Sequence, residues 1–529
     1  MSDRSAREPD LRADVLVIGC GIAGASAALE AAQAGLRVVV ITKDARAEES
    51  NTRYAQGGIV SFAPNDRPVL LKHDILEAGD SVGDPAAVDI LVADGPRLVR
   101  ETLIDKLKIP FTRSSPDALD YALEGGHSRR RILHVEDATG RTIEDRFLRA
   151  LRKESRVTVL TGRTAVDLMT VPHHSKDPVA YYREPRAIGA FVLNNATGAV
   201  GRIFAPFTVL ATGGCGSVFL HTCNPPGADG SGYAMAYRAG ARIGNMEYIQ
   251  FHPTVFMRGS GDGFLISESV RGEGARLKTR DGRTFMEKYS PLRDLAPRDE
   301  VSRAIYEQMI LTNTNYVLLD LASYARPDVI RKRFPTILKT CLEDGVDITR
   351  QPIPVVPAAH YCCGGVLADG WGRTSLKGLY AAGEVACTGV HGANRLASTS
   401  LLEGLVWGTR AAQDIAVRFD SERPCKASEI YRWRYPKKED DLDPALVNQD
   451  WLTIRSTMWN YAGVIRTRKR LERAKADLDY LRHRIEQFYR AAPVNPAIVG
   501  LRHGILVALM ITQAALANPV SRGAHFIKE

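Results

Sequence analysis

The chain has 529 residues, 45% of them hydrophobic and 25% charged, and a formal net charge of +9. This length predicts two or three domains, and the composition excludes a disordered or fibrous protein. Eight cysteines without paired CxxC spacing argue against a zinc site and a disulfide framework, so we expect no metal and reduced thiols. The positive charge suits an anionic small molecule, a nucleic acid or an acidic membrane surface equally well.

The amino-terminal residues 1–12 are polar and charged, and they contain no apolar segment typical of a secretory signal. We expect them to form a mobile tail. No apolar run along the chain reaches the ~20 residues that span a bilayer, which predicts a cytoplasmic protein without a membrane span.

The first motif is GCGIAG, at residues 19–24. Apolar runs at residues 13–19 and 36–42 predict two buried strands, and the small residues between them predict a helix. In this setting a GxGxxG turn is typical of dinucleotide binding, because its glycines let the backbone approach a pyrophosphate at a helix N-terminus. The residues expected there are Gly19, Gly21, Ile22, Ala23 and Gly24. The usual acidic ribose ligand is not obvious after the second strand, where Thr42-Lys43-Asp44 stand. The ribose contact is therefore left open, and Lys43 is a candidate cofactor-binding residue.

Further glycine-rich loops follow other predicted strands. They are SNTRYAQGG at residues 50–58, LATGGCG at residues 210–216, and Ala382-Gly383-Glu384. Glycine pairs allow close backbone approach to a flat ring, and the repetition of such loops favours a flavin over a nicotinamide cofactor. The candidate cofactor ligands in these loops are Asn51, Thr52, Ala55, Gln56, Gly57, Gly58 and Glu384.

The segment at residues 381–404 combines glycines, a guanidinium and a cluster of hydroxyls before an apolar helix. Ser400 and Glu403 have the spacing of a capping box. A helix that begins here would offer the backbone N–H groups of Ser400 and Leu401 to an electron-rich ligand. Arg395 could hold a carboxylate with two hydrogen bonds. One segment could therefore hold a cofactor on one side and an anionic substrate on the other.

The motifs YAQGG, ATGG, QFHPT, RGEGA, APRD, HYxxGG, AAGE and HGANR occur in this order. They resemble the flavoprotein family of succinate dehydrogenases, fumarate reductases and L-aspartate oxidases, and the resemblance runs from Asp14 to about His525. It implies an α/β fold with a Rossmann-like FAD-binding domain at residues 1–244 and 360–425. An α+β capping domain is inserted at residues 245–359, and a C-terminal helical domain follows at residues 426–529. The resemblance also implies that the cofactor is FAD.

The same resemblance assigns substrate-binding roles. It implies that His252, His360 and Arg395 bind the substrate carboxylates and that Ser267 aids them, where a threonine is usual. The sequence EGGHSRRRILH resembles the aspartate oxidase version of its region, in which the glutamate, here Glu124, faces the substrate amino group. A carboxylate is a suitable partner for an ammonium group. The basic triplet at residues 129–131 is otherwise most typical of a solvated face.

Arg298 is the candidate for proton transfer in fumarate reduction. An arginine, with a pKa above ~12, serves in this way only if it is desolvated, surrounded by cations and fed by a relay. Glu268 and Arg271 have helical spacing and could form that relay. A purely electrostatic clamp is the alternative role for Arg298.

One loop departs from the family pattern. The family usually has GDG before an MA dipeptide, whereas this chain has Gly230-Ser231-Gly232, with Asp229 earlier. Either Ser231 makes the contact with the flavin nucleotide, or the loop shifts and brings Asp229 to it.

Cys362 and Cys363 are adjacent, and neighbouring cysteines rarely meet disulfide geometry, so we expect no redox role for them.

Three functions from different classes fit these patterns. The first is FAD-dependent oxidation of L-aspartate to iminoaspartate, with oxygen or fumarate as acceptor. This reaction is the first step of de novo NAD biosynthesis, and a quinolinate synthase is the candidate partner. The second is the flavoprotein subunit of a respiratory succinate dehydrogenase or fumarate reductase. Succinate dehydrogenases carry a histidine that tethers FAD covalently where this chain has Asn51, so we expect noncovalent FAD and favour the first function.

The third function, a basic flavoprotein that binds RNA, has only net charge behind it. Residues 451–489 predict antiparallel helices with apolar residues at helical spacing among charges. The basic residues there lack aromatic platforms, so no nucleic-acid partner is expected. Pro424 and residues 437–443 predict the linker that precedes these helices.

Overall fold

The computed structural model describes residues 8–136, 138–258, 263–422, 425–436 and 443–529. Its strands, in chain order, are β1 (Leu11–Arg12), β2 (Val15–Ile18), β3 (Val38–Ile41), β4 (Ile59–Val60), β5 (Arg113–Ser115), β6 (Ala118–Leu119), β7 (Tyr121–Ala122), β8 (Ile132–Leu133), β9 (Val157–Leu160), β10 (Arg163–Val171), β11 (Arg186–Asn194), β12 (Val200–Phe204), β13 (Phe207–Leu210), β14 (Ile243–Gly244), β15 (Ile249–Met257), β16 (Gly263–Leu265), β17 (Arg276–Lys278), β18 (Val317–Asp320), β19 (Ile353–Cys362), β20 (Gly365–Leu367), β21 (Leu379–Ala381) and β22 (Ala386–Cys387).

The helices are α1 (Ile22–Gln33), α2 (Pro68–Ala78), α3 (Pro85–Leu98), α4 (Thr139–Lys153), α5 (Ser231–Arg238), α6 (Glu268–Gly272), α7 (Arg298–Leu311), α8 (Pro327–Arg333), α9 (Pro335–Glu343), α10 (Ser400–Arg418), α11 (Pro444–Ala462), α12 (Arg468–Ala491) and α13 (Pro496–Ala517). A π-helical segment, Val99–Lys106, continues α3. Short 3-10 turns occupy Pro178–Tyr182, Gly216–Val218, Met286–Lys288, Arg293–Leu295, Phe419–Ser421 and Ala427–Glu429.

A five-stranded parallel sheet with the order β21-β13-β2-β3-β9 forms the first core. Strands β2 and β3 are buried along their whole length, as their continuous apolar runs predict for a sheet covered on both faces. Helices α1 and α10 pack closely on this sheet. A Cβ added at Gly408 would lie 2.3 Å from the carbonyl oxygen of Ala23, so a glycine is needed where the two helices meet.

A second five-stranded sheet, with the order β16-β15-β19-β18-β17, is antiparallel. Helices α6 to α9 lie beside it. Strands β15 and β19 are neighbours, with His252 opposite Ala358 and Phe251 opposite Ala359. This register brings His252 and His360 to adjacent strands of one sheet. The predicted end of the capping domain at residue 359 falls inside β19.

The predicted mobile tail is wrong for residues 8–12. Strand β1 pairs in parallel with β12, with Leu11 opposite Ile203. Asp10 forms an ion pair of 2.6 Å with Arg202, which adds an electrostatic contact to the backbone pairing. Residues 1–7 of the predicted tail lie outside the described residues.

Helices α11, α12 and α13 pack together at the C-terminal end, which confirms the predicted helical domain and, with the two sheets, the predicted fold class. By length and composition, helix α13 could cross a membrane, although we expected no apolar run of that length from the sequence. However, 72% of its most apolar window is buried inside the protein, as in a core helix. In the predicted linker, Pro424 and residues 437–442 lie outside the described residues.

Candidate active site

A cavity of about 1500 Å³ opens where the carboxyl ends of the parallel strands face the second sheet. Typical ligand pockets measure ~300–1,000 Å³, so this one has room for a dinucleotide and a small substrate together. Every site residue predicted from the sequence lines this cavity except Gly24. A Cβ on Gly24 would lie 2.0 Å from the carbonyl oxygen of Gly19, so Gly24 serves the packing of helix against turn.

The turn that precedes α1 forms one end of the cavity. Gly19 has a φ of +107°, and a Cβ there would lie 2.1 Å from the carbonyl oxygen of Ala211. Gly21 is the N-cap of α1 and provides no side chain to cap it. The N–H of Ile22 donates to Oγ1 of Thr52 at 3.0 Å. The other first-turn N–H groups of α1 and the positive end of the helix dipole are available to an anionic pyrophosphate.

Buried polar atoms with no protein partner point to a polar ligand at the same end. Oδ1 of Asn51, Oε1 of Gln56 and Oγ1 of Thr212 have no hydrogen-bond partner within the described part of the chain, and all three residues line the cavity. Glu384 accepts hydrogen bonds of 3.0 Å from Asn51 Nδ2 and from the backbone N–H of Cys362. Burial raises the pKa of Glu384 to about 7. These residues fit a cofactor rich in hydroxyl and ring-nitrogen groups, such as FAD.

The loop that departs from the family pattern also lines the cavity. Lys43 forms a 2.8 Å ion pair with Asp229, and Asp229 accepts the backbone N–H of Ser231 at 3.1 Å. Both Asp229 and Ser231 reach the cavity, beside the N-terminus of α5.

The predicted capping box at the start of α10 is wrong. The helix begins at Ser400 after Thr399, and no side chain caps it. Glu403 instead accepts hydrogen bonds from three distant residues: Thr388 at 2.5 Å, Tyr361 at 2.8 Å and His391 at 3.0 Å. Burial opposes ionisation of Glu403, but these partners lower its pKa below the usual range. The first-turn N–H groups of α10, at Ser400 and Leu401, therefore remain directed at the cavity.

Arg395 is a buried cation with no carboxylate partner among the described residues. Its guanidinium stacks 4.8 Å from the centre of the Tyr361 ring, and Nη2 lies 2.9 Å from Nε2 of His360. It is 5% exposed, and no carboxylate of a described residue lies within salt-bridge distance. Its Nε also has no partner among the described residues. Burial and the nearby Arg298 lower the pKa of Arg395, and a bound anion would relieve both effects.

The two histidines are neutral side chains in this cluster of cations. The rings of His252 and His360 lie 5.5 Å apart, between centroids. Burial, reinforced by Arg298, holds both pKa values well below the ordinary histidine range. Nδ1 of His252 accepts the backbone N–H of Thr254 at 3.3 Å, so the proton of the neutral ring is on Nε2, where it can be donated.

The predicted relay residues form a continuous chain. Oε1 of Glu268 contacts Nε of Arg298 and lies 3.3 Å from Nη2 of Arg271. Burial opposes ionisation of Glu268, but attraction to Arg298 and Arg271 lowers its pKa to about 2. Burial also opposes the charge of Arg298, yet contact with Glu268 raises the Arg298 pKa. Without substrate, the chain therefore holds the proton on Arg298. Ser267 begins the same segment and caps α6 through a 3.4 Å bond to the N–H of Ser269.

Glu124 lines the same cavity as these cations. Its Oε2 accepts a 2.6 Å hydrogen bond from the hydroxyl of Ser398. Burial raises its pKa above the usual glutamate range. A Cβ on Gly125 would lie 3.0 Å from Oε2 of Glu268, so the Glu124 loop meets the start of α6 at this point.

The basic triplet that follows Glu124 is only partly a solvated face. Arg129 and Arg130 are exposed, but Arg131 is 0% exposed. The Arg131 guanidinium bonds the carboxylates of Asp66 and Asp74 at 2.8 and 2.6 Å. The prediction is therefore wrong for Arg131, which anchors the loop from inside.

Sequence reasoning missed Gln250 as a site residue, although it stands in the QFHPT motif. Its Oε1 accepts from Arg395 at 3.1 Å and from Arg298 at 3.3 Å, and it is 2% exposed. Tyr361 and Cys223 were also missed, and both line the cavity. All eight cysteines are unpaired in the structure. Among the described residues, no group of His, Cys, Asp or Glu side chains is placed to hold a metal ion.

Comparisons with known proteins bear on the whole chain. Residues 14–401 match the family model described as an FAD binding domain, and residues 452–529 match that of the fumarate reductase flavoprotein C-terminus. The chain is 44% identical to L-aspartate oxidase 1 of Ralstonia nicotianae, with 98% of this chain and 95% of that protein covered. It is 41% identical to the L-aspartate oxidase of Pseudomonas aeruginosa, with 97% and 94% covered. A solved quinol fumarate reductase chain of E. coli superposes with a TM-score of 0.87 at 26% identity, with 99% and 92% covered.

Proposed function

The chain belongs to the L-aspartate oxidase family of FAD-dependent flavoproteins, and from this premise we propose that it oxidises L-aspartate to iminoaspartate. The enzyme binds FAD, and oxygen or fumarate accepts the electrons. The product makes this reaction the first step of de novo NAD biosynthesis.

One observation carries the choice of substrate. Arg395 is a buried cation with no carboxylate partner among the described residues, and Glu124 is a carboxylate that lines the same cavity. A molecule with two carboxylates and an ammonium group complements both charges, whereas succinate has no ammonium group to pair with Glu124.

Each substrate group has a protein partner in this proposal. Arg395, His360 and His252 hold the two carboxylates, and the hydroxyl of Ser267 adds a hydrogen bond. Glu124 pairs with the ammonium group, and its raised pKa suits it to take a proton from that group. FAD, when bound, supplies the hydride acceptor for C2 of the substrate.

In the fumarate direction, Arg298 delivers the proton, with Glu268 and Arg271 as its supply. The contact between Arg298 and Glu268 supports this role, because a proton leaving Arg298 can be replaced through an adjacent carboxylate. The raised pKa of Arg298 opposes proton release in the empty site, so we place the release after the substrate has displaced water.

FAD is held without a covalent bond, by the residues around the cavity named above. The side chain at position 51 is an amide, which offers no nucleophile comparable to an imidazole. Lys43, Asp229 and Ser231 bind the nucleotide end. Asn51, Thr52, Ala55, Gln56, Gly57, Gly58 and Glu384 bind the middle, and Ser400 and Leu401 provide helix N-terminal N–H groups for the ring.

We place the enzyme in the cytoplasm, where a quinolinate synthase would consume its product. An imine hydrolyses in water, so a nearby consumer would protect it. Co-purification of the two proteins at physiological salt, with and without L-aspartate, tests this association.

The activity is tested by mixing the purified yellow protein anaerobically with L-aspartate and, separately, with succinate. Bleaching of the flavin absorbance by L-aspartate, with flavin released on acid precipitation, is the expected result. Bleaching by succinate alone, with flavin retained in the pellet, would instead identify a respiratory dehydrogenase flavoprotein.

A further inference from the structure

Cys223 lies in the substrate end of the cavity and contacts one of the carboxylate-binding histidines. Its Sγ is 3.1 Å from Nδ1 of His360, and it is 3.6 Å from the carbonyl oxygen of Ala359. The other nitrogen of His360, Nε2, is 2.9 Å from Nη2 of Arg395. The three side chains therefore form a row of thiol, imidazole and guanidinium.

The protonation of this row follows from the donors available. A guanidinium can only donate, so Nε2 of His360 accepts from Arg395 and carries no proton. The ring is neutral, which leaves its proton on Nδ1, directed at the sulfur of Cys223. The thiol hydrogen is free to point at the carbonyl oxygen of Ala359.

A bound carboxylate demands the opposite arrangement. When Arg395 donates to a substrate carboxylate, His360 can assist only if Nε2 carries a proton, since two lone pairs would otherwise face each other. Nδ1 then becomes an acceptor and needs a donor. A backbone carbonyl, which is a common partner of Nδ1, could not provide one, whereas a thiol both donates and accepts.

We propose that Cys223 is a positioning residue that lets His360 exchange tautomers when a dicarboxylate binds. The proton leaves Nδ1, a proton joins Nε2 by exchange with water, and the Cys223 S–H turns from Ala359 to Nδ1. The number of bound protons does not change, and no charge is created. This inference rests on the proposed function, which makes His360 a carboxylate ligand.

The backbone holds Cys223 in place for this role. Thr222 forms a bridge with Ala359, and its hydroxyl donates to the Ala359 carbonyl at 2.9 Å. The side chain of Asn224 donates to the carbonyl oxygen of His360 at 3.0 Å. Both neighbours of Cys223 are therefore fixed to β19, the strand that carries His360. Burial raises the pKa of the Cys223 thiol to about 12, so its proton is retained in either arrangement.

The first test is spectroscopic and uses the FAD-loaded enzyme labelled with 15N-histidine. His360→Asn identifies the two ring signals of His360. We expect the proton on Nδ1 without ligand and on Nε2 with saturating succinate. An unchanged tautomer in the presence of bound succinate would overturn the proposal.

The second test separates binding from rate in variants. Succinate affinity is measured from the change in the flavin spectrum, and the rate of flavin reduction is measured at saturating L-aspartate. Loss of one hydrogen bond predicts that Cys223→Val and Cys223→Ala weaken succinate binding about three- to tenfold, with the reduction rate nearly unchanged. Cys223→Ser keeps a donor and acceptor and should restore the affinity.

The controls distinguish this inference from the proposed function. Cys425→Val removes a thiol that does not line the cavity and should bind succinate as the parent does. Equal FAD content and melting temperature show that a variant is folded. If the parent enzyme responds to neither succinate nor L-aspartate, the proposed function fails. If the parent binds and Cys223→Val binds equally well, or if Cys223→Ser is as weak as Cys223→Val, only the role of Cys223 fails.

Discussion

The hydroxyl of Ser398 donates a 2.6 Å hydrogen bond to Oε2 of Glu124, across 274 positions of sequence. The same hydroxyl accepts the N–H of Gly58 at 3.2 Å, and Ser398 has a left-handed φ of 56°. Few residues other than glycine, asparagine and aspartate adopt this conformation. Ser398 therefore connects three parts of the site: Glu124, which is assigned to the substrate ammonium group, Gly58 in the cofactor-binding loop, and the segment that leads into α10.

Replacing Glu124 by glutamine should remove the charge that pairs with the ammonium group. We expect kcat/KM for L-aspartate to fall roughly 30- to 5,000-fold, because truncating one partner of a buried charge pair costs about 2–5 kcal/mol. Fumarate reduction should be kept or improved, since a dicarboxylate no longer faces a carboxylate. Steady-state rates with both substrates measure the change. Surviving L-aspartate oxidation with impaired fumarate reduction would show that Glu124 has another role.

The raised pKa of Glu124 also predicts a pH dependence. Protonated Glu124 cannot pair with an ammonium group, so kcat/KM for L-aspartate should fall as the pH drops below this raised pKa. Glu124→Gln should lack this acid limb. Ser398→Ala removes a hydrogen bond that lowers the Glu124 pKa, so it should move the limb to higher pH. An acid limb that is unchanged in both variants would assign it to a different group.

Arg298→Gln should separate proton transfer from electrostatic clamping. If Arg298 donates the proton, reduced enzyme should reduce fumarate about 100- to 10,000-fold more slowly, with only a modest loss of succinate affinity. If Arg298 is only an electrostatic clamp, the variant should lose succinate affinity and the rate of fumarate reduction together. A single-turnover rate with fumarate and a titration with succinate measure the two quantities. Arg298→Lys is the matched control, because it keeps the charge but loses the planar contact with Glu268.

The sequence identified the parts of the fold that depend on local pattern. Strands β2 and β3 were predictable because continuous apolar runs flank the GxGxxG turn. His252 and His360 were found because each stands in a motif of the family, but only the register of β15 against β19 shows that they are neighbours.

The errors arose where a long-range partner overrides a local pattern. Ser400 and Glu403 have the spacing of a capping box, yet Glu403 binds Tyr361, which is 42 positions away. Arg131 looks solvated within a basic triplet, but its partners are 57 and 65 positions away. Cys223 has no motif of its own, and its contact with His360 follows from a bridge between distant segments. Pairings of this kind depend on the tertiary fold.

Glu144 provides a test of stability against pH. It is 1% exposed on α4, and it accepts a 3.0 Å hydrogen bond from the hydroxyl of Ser50, whose segment lines the cavity. Burial raises its pKa to about 8, whereas an unfolded glutamate ionises near ~4.3. Between these values the unfolded state loses its proton and the folded state keeps it. Folding stability is therefore lost as the pH rises from about 4.3 toward 8, by up to about 5 kcal/mol.

The variant Glu144→Gln should not lose folding stability as the pH rises, because glutamine does not ionise. The free energy of unfolding of the variant, relative to the parent, should grow steadily between pH 4.5 and 8 in urea titrations. Ser50→Ala removes a hydrogen bond that lowers the Glu144 pKa, so its loss of stability should extend to higher pH. A difference between Glu144→Gln and parent that is independent of pH would mean that Glu144 ionises alike in both states.

The buried cluster of Arg131, Asp66 and Asp74 predicts a large effect on stability and a secondary effect on the site. Arg131→Met leaves two buried carboxylates without their cation, and breaking a buried pair in this way costs about 3–5 kcal/mol. Asp74 also accepts hydrogen bonds from the N–H and hydroxyl of Ser128, at 2.9 and 2.8 Å. The loop that begins at Glu124 should therefore loosen, and KM for L-aspartate should rise.

The matched control is the triple variant Arg131→Met, Asp66→Asn, Asp74→Asn, which removes the charges together. It should recover much of the lost free energy of unfolding, because the cost lies in the uncompensated charges and not in the absence of the cluster. KM should recover only in part, since the amides hold Ser128 less strongly than a carboxylate does. If the single and triple variants are equally unstable, packing of the Arg131 side chain accounts for the loss, and the ion cluster contributes little.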